Sequence, residues 1–230
     1  MSHDEDGMRR IAVLRCNALG DYLMITPALA ALRRAFPEAE LTLLGGAWQA
    51  DFLSGRPGPV DRVVVVPQVA GLAGQPGGAP QASALPEFLA EARAYRYDLA
   101  VQLHGGGTAS NPLVRALGAR RSIGLRAADA APLDATVPYR YYQPEVFRYL
   151  EVVALVGADG PPEYPLLAVS DQEQAAAAEA CPATGRGSRC TPVPVIRAGA
   201  GRRSGSPPSP PASPPPGCAR CSSARPPTCR

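Results

Sequence analysis

Short apolar runs alternating with stretches of helical spacing constrain this chain more than any other feature. Arg10-Ile-Ala-Val-Leu14, Leu41-Thr-Leu-Leu44, Arg62-Val-Val-Val-Val66 and Asp98-Leu-Ala-Val-Gln-Leu103 are near-continuous apolar segments bounded by polar or glycine residues. That is the pattern of strands buried on both faces. Between the first two, residues 21–36 place Leu23, Met24, Pro27, Leu29, Leu32 and Phe36 near one helical face. Pro27 removes a backbone donor and is expected to kink or divide this helix. Further helices are predicted around Trp48 to Leu53, over 85–95, near 111–117 and over 144–156, with a short strand at 122–124. Strand–helix alternation predicts an α/β fold: a doubly wound, Rossmann-like parallel sheet covered by helices on both faces.

The pattern stops near residue 180. Residues 1–180 hold 15 arginines and all 20 acidic residues, whereas 181–230 hold 8 arginines and no acid. The last stretch also carries 12 of the 27 prolines and 5 of the 6 cysteines, with Val193-Pro-Val-Ile as its one apolar cluster. Such a segment buries too little apolar surface to offset its ordering entropy, and it reads as a disordered tail. The expected organisation is therefore a disordered N-terminus over 1–7, a folded domain over 8–170, a linker or helix remnant over 171–180, and the tail.

Several function classes drop out. No apolar run approaches the roughly 20 residues of a membrane span. The acidic start lacks the apolar stretch of a signal peptide, so a cytoplasmic location is expected. The basic tail has no aromatic residue on which bases could stack, so no nucleic-acid partner is expected. Cys218-Ala-Arg-Cys221 has zinc-like spacing at one end only, without a second pair or a nearby histidine, so no metal is expected.

In a doubly wound sheet, ligands bind outside the carboxyl ends of the strands. Two segments fall there: 15–21 after the first strand, and 104–110 after the strand at 98–103. Asp21 reads either as a first-turn acid facing the helix dipole, worth about 0.3–1 kcal/mol, or as a general base at a cleft rim. His104-Gly-Gly-Gly107 reads either as a flexible strand-to-helix turn or as a nest of N–H groups facing an anion or sugar hydroxyls. A lipase-like oxyanion loop is excluded, because it needs a Gly-x-Ser-x-Gly elbow and a second usable histidine, and the other histidine is His3. The turn Cys16-Asn-Ala-Leu-Gly-Asp21 has one glycine where a dinucleotide fingerprint needs three, so no NAD is expected.

The stretch from Ile11 through Gly20-Asp21 and Pro27 to Pro37 resembles the opening of glycosyltransferase family 9, the ADP-heptose:lipopolysaccharide heptosyltransferases and their relatives. The resemblance continues through Ala39-Glu-Leu-Thr-Leu-Leu44, Val60-Asp-Arg-Val-Val64, Tyr97-Asp-Leu-Ala-Val-Gln-Leu103 and Leu117-Gly-Ala-Arg-Arg-Ser-Ile-Gly-Leu-Arg126, covering roughly residues 8–170. It implies the N-terminal, acceptor-binding half of a GT-B fold and inverting, metal-independent sugar transfer, with no cofactor. The implied substrates are a nucleotide-sugar donor, ADP-heptose, and a lipid-linked glycan acceptor, which places the protein peripherally near the inner membrane. Asp21 matches the family's proposed base. Asn17, Gly20, His104, Gly105 and Gly106 would line the acceptor side, and Arg126 reads either as a contact to an anionic acceptor group or as a surface arginine.

The departure from the family is as informative. A His-Pro-Gly-like strand end, a basic residue for donor phosphates and a second Gly-rich turn are expected beyond residue 180, and none is recognisable. The tail reads either as an out-of-frame translation of a donor domain's start or as a native disordered extension. Without a donor domain the chain is expected to be truncated and poorly active. The alternatives from other classes are a non-catalytic glycan-binding domain and a fragment that pairs with a separately encoded donor domain.

Overall fold

The first strand, β1 (Arg10–Leu14), lies at the centre of a six-stranded sheet rather than at its edge. The computed structural model describes residues 8–69, 72, 84–161 and 164–180; the expected disorder of 1–7 and 181–230 lies outside these. After β1 come α1 (Leu19–Ala35), β2 (Glu40–Gly45), α2 (Ala47–Leu53) and β3 (Arg62–Val65). Then follow α3 (Ala84–Tyr95), β4 (Leu99–Gln102), α4 (Ser110–Ala116), β5 (Arg121–Arg126), β6 (Ala135–Pro138), α5 (Glu145–Ala154) and α6 (Asp171–Ala180). The spatial order is β3-β2-β1-β4-β5-β6 and every pairing is parallel. This is the strand order of a Rossmann-type sheet, with its topological switch point between β1 and β4.

Alternation along β1 explains why both faces need helices. Ile11 and Val13 join Leu41, Leu43, Leu99 and Val101 on one face, against α1 (Ile25, Leu29, Leu32) and α5 (Tyr149, Val152, Val153). Ala12 and Leu14 join Leu44 and Ala100 on the other, against α3 (Phe88, Ala92) and α4 (Leu113, Val114). Each fully buried Val, Leu or Ile contributes roughly 1.5–3 kcal/mol, so a strand with no polar face is stable only between two helical layers.

Two expectations need correction. Pro27 does not divide its helix, which runs unbroken from Leu19 to Ala35. Proline leaves the carbonyl of Leu23 without its usual partner four residues on, and the Thr26 hydroxyl donates to that oxygen at 2.9 Å. The same hydroxyl accepts from the Leu166 N–H at 3.2 Å, tying the later chain to α1. The strand foreseen at 122–124 is the longer β5, and edge strand β6, four residues ending in Pro138, was not foreseen. Residues 171–180 form a helix exposed on every side, held at its start by Ser170 and Glu173 and by the Arg56–Glu173 ion pair.

Candidate functional site

The two loops singled out in the sequence meet at the switch point. Loop 15–18 leaves β1 and enters α1, while residues 103–109 leave the neighbouring strand β4 and enter α4. The group that joins them is Arg15, a side chain the sequence reading had not singled out. It is 1% exposed. Its Nη1 donates to the Leu103 carbonyl at 2.7 Å and to the Tyr149 hydroxyl at 2.6 Å. Its Nη2 donates to Asp21 Oδ1 at 2.6 Å and lies 3.4 Å from Glu145 Oε2. The guanidinium also stands over the Tyr149 ring, 5.2 Å from its centroid. A buried cation needs this many partners, since one left uncompensated costs several kcal/mol.

Asp21 stands where one of the two readings weighed from the sequence puts it, as a first-turn acid of α1. In the first turn of α1, its Oδ2 accepts the Ala18 N–H at 3.2 Å, where Ala18 itself has no side-chain cap to offer. Its Oδ1 takes the bond from Arg15, which fixes the carboxylate's direction. With its side chain 33% exposed, the carboxylate keeps lone pairs facing solvent above the sheet's carboxyl edge.

The His104 loop is braced from below. Gln102 at the end of β4 is fully buried; its Nε2 donates to the His104 carbonyl and to Ser110 Oγ, and its Oε1 accepts the Leu125 N–H at 2.9 Å. Gly124 on β5 makes this brace possible, because a Cβ there would stand 2.6 Å from Gln102 Cβ. His104 is buried, and its Nδ1 accepts the Cys16 N–H at 3.4 Å. Burial, reinforced by Arg15 and partly opposed by Asp21, pushes the imidazole pKa down to about 4, so the ring is neutral at physiological pH and carries its proton on Nε2. Beyond it, Gly105 and Gly107 have φ of +62° and +99°, conformations glycine adopts without strain. Gly106 gives close contact: a Cβ there would meet Ala127 Cβ at 3.1 Å and the Tyr139 ring at 3.4 Å.

The other expected residues divide. Asn17 lies beside this group; its carbonyl accepts from Trp48 Nε1 at 3.1 Å, and its Oδ1 is buried without a partner among the described residues. Gly20 is exposed, and a Cβ added there would find nothing within 4 Å. Arg126, at the end of β5, is exposed and donates through Nε to the Ala130 carbonyl at 3.2 Å. It makes no bond to the Asp21 group among the described residues. Three residues of α5 belong to the site although the sequence reading passed over them: Glu145, Arg148 and Tyr149. Arg148 stacks 4.8 Å from the Tyr139 ring centroid and contacts Glu145 Oε1 at 3.4 Å. Cys16, by contrast, is a structural thiol; burial pushes its pKa up to about 12.

No protein-family model and no curated protein matches the sequence. Solved structures do match the fold. A glycosyl transferase of family 9 from Veillonella parvula superposes with a TM-score of 0.58 at 19% identity, over 76% of this chain and 49% of that one. ADP-heptose lps heptosyltransferase II from E. coli superposes with a TM-score of 0.54 at 19% identity, over 74% of this chain and 50% of that one. The chain thus spans about half the length of the structures it matches. At such identity the likeness is one of fold, and the fold is that of solved family-9 glycosyltransferase structures over about half their length.

Proposed function

We propose that residues 8–170 are the acceptor-binding domain of a glycosyltransferase of the family-9 type. In this reading a sugar, heptose, passes from an ADP-sugar to a lipopolysaccharide-core-type acceptor, with inversion and without a metal. The observation that carries it is the Asp21 carboxylate, oriented by buried Arg15 and open to solvent where the loops after β1 and β4 converge. The sequence resemblance and the fold likeness support the same reading.

In the reaction, Asp21 accepts the proton of the acceptor hydroxyl as that oxygen attacks the anomeric carbon of the donor. The anomeric carbon–oxygen bond breaks on the opposite face, and ADP leaves with the electron pair. Arg15 contributes by holding the carboxylate in one direction, the preorganisation on which proximity effects depend. The neutral His104 ring supplies a hydrogen-bond donor for a sugar hydroxyl, and the loop at Gly105 and Gly106 lets a sugar approach the backbone. The reading places the protein in the cytoplasm, peripherally at the inner membrane; no helix among the described residues is long and apolar enough to cross a membrane.

Calorimetric titration of the chain with a deacylated lipid A–inner-core oligosaccharide, without donor, tests the reading. Saturable binding by the wild type is expected, retained in Asp21→Asn. In a transfer assay with ADP-heptose the chain is expected to turn over poorly, and whatever turnover it shows should fall about 10²–10⁴-fold in Asp21→Asn. A wild-type chain that binds no such oligosaccharide overturns the proposal.

A further inference from the structure

A pocket of about 220 Å³ lies between α1, the loop from α2 to β3, and a strap of chain at 164–168. Its walls are mostly apolar: Pro27 and Ala30 from α1, Leu53 and Val60 at the two ends of the loop, and Leu167 from the strap. Tyr164 and Leu166, which also line it, are 89% and 71% exposed, so the pocket opens to solvent there. None of Arg15, Asp21, His104 and Tyr149 lines it, which separates it from the crevice above β1 and β4.

Three polar side chains reach this pocket, and two of them are already engaged. The Thr26 hydroxyl donates to Leu23 and accepts from Leu166. Arg56 brings no net charge, because Glu173 pairs with it and the Ala168 carbonyl accepts from its Nη1 at 2.6 Å. Tyr22 is different. It is 3% exposed, and its hydroxyl makes no hydrogen bond among the described residues. Burial pushes its pKa up, partly opposed by Arg56, so the phenol keeps its proton and can donate it. A buried hydroxyl without an acceptor is costly, and a ligand that supplies one removes that cost.

Size and polarity select the ligand. An apolar cavity of about 150 Å³ takes benzene, whereas drug-sized ligands and cofactors occupy about 300–1,000 Å³. The pocket therefore suits one substituted ring, and a nucleotide or a disaccharide is too large for it. The ion-paired Arg56 leaves no counter-charge for an ionic ligand, and the one free donor asks for one acceptor.

We infer that this pocket is a binding site for a small, neutral, single-ring compound carrying one oxygen acceptor, held by the Tyr22 hydroxyl, and that the bound ring pins the strap to α1. Among the described residues the strap is tied at two places, Leu166 N–H to Thr26 Oγ at 3.2 Å and Ala168 carbonyl to Arg56. A ring seated between Ala30 and Leu167 adds apolar contact to both walls, so the strap opens only after the ring leaves.

Acetophenone and ethylbenzene test this, since they are alike in size and one lacks the carbonyl. Titrated into the full chain and followed by methyl-resolved NMR, both are expected to shift Leu53, Val60 and Leu167 saturably, acetophenone with about tenfold higher affinity. Tyr22→Phe is expected to bind the two equally. Ala30→Leu, which fills the space with a good helix former, is expected to bind neither. With acetophenone at about ten times its dissociation constant, amide exchange at Leu166 is expected to slow about tenfold. No saturable shift at those methyls in wild type, equal wild-type affinity for the two probes, or a preference that persists in a folded Tyr22→Phe overturns the site. If Tyr22→Phe fails to fold by near-UV circular dichroism, the wild-type comparison and Ala30→Leu decide. Unchanged Leu166 exchange overturns the pinning of the strap. Each of these failures leaves the Asp21 reading standing.

Discussion

Replacing Tyr149 by phenylalanine deletes one oxygen from a group whose ring is held on all sides. Tyr149 is fully buried, and burial pushes its phenol pKa above the ordinary tyrosine value. The hydroxyl accepts from Arg15 Nη1 at 2.6 Å, while the ring packs in the core and faces the guanidinium. Phenylalanine keeps the ring contacts and leaves Arg15 with one N–H buried and unmet, since Leu103 accepts only one of the two on Nη1. A hydrogen bond to a charged group is worth about 1.5–3 kcal/mol. Taking about 2 kcal/mol, a domain of this size should melt about 4–8 °C lower. Urea unfolding followed by far-UV circular dichroism should show a lower midpoint with an unchanged slope. A loss under about 0.5 kcal/mol would refute the reasoning: Arg15 would then be finding other partners at no cost, and the network would not be what orients Asp21.

Two further outcomes concern the crevice. Gly106→Ala should destabilise by about 1–3 kcal/mol through overpacking against Ala127 and Tyr139, whereas Gly20→Ala, with no protein atom to meet, should leave unfolding free energy unchanged or slightly higher; parallel denaturant titrations of the two variants check this. His104 has its folded pKa lowered from 6.5 to about 4, so the unfolded chain binds more protons between those values and stability falls as pH drops through that window. The loss attributable to this side chain is on the order of 3 kcal/mol, read as the difference in pH dependence between wild type and His104→Gln; parallel curves for the two proteins would exclude it.

The fold was largely legible because apolar runs and helical spacing are local signals. The site was legible only on its β1 and β4 sides. Gly20-Asp21 and His104-Gly-Gly-Gly107 stand at strand ends, and strand ends are where a doubly wound sheet places its ligands. Arg15 was not legible as a buried residue, because arginine burial depends on partners distant in the chain, and its partner Tyr149 lies 134 positions on. Arg148 left one trace: it sits four residues before Val152, on the apolar stripe of α5, where a charge has no reason to be unless it is engaged. Strand β6 escaped because four residues ending in proline at a sheet edge carry no periodicity. Pro27 misled because its cost was judged from the backbone alone, while the neighbouring Thr26 hydroxyl supplies the missing donor.

The central position of β1 has a kinetic consequence. The strand synthesised first must wait for β4 on one side, and Arg15 acquires its lid only when α5 docks. Contacts so distant in sequence close large loops and form late. Until then the Arg15 guanidinium stays hydrated and nothing aims the carboxylate beside it, so a partly folded chain carries the scaffold without the oriented Asp21. The aimed carboxylate thereby becomes a property of the finished domain alone, and the burial of one arginine reports that folding is complete.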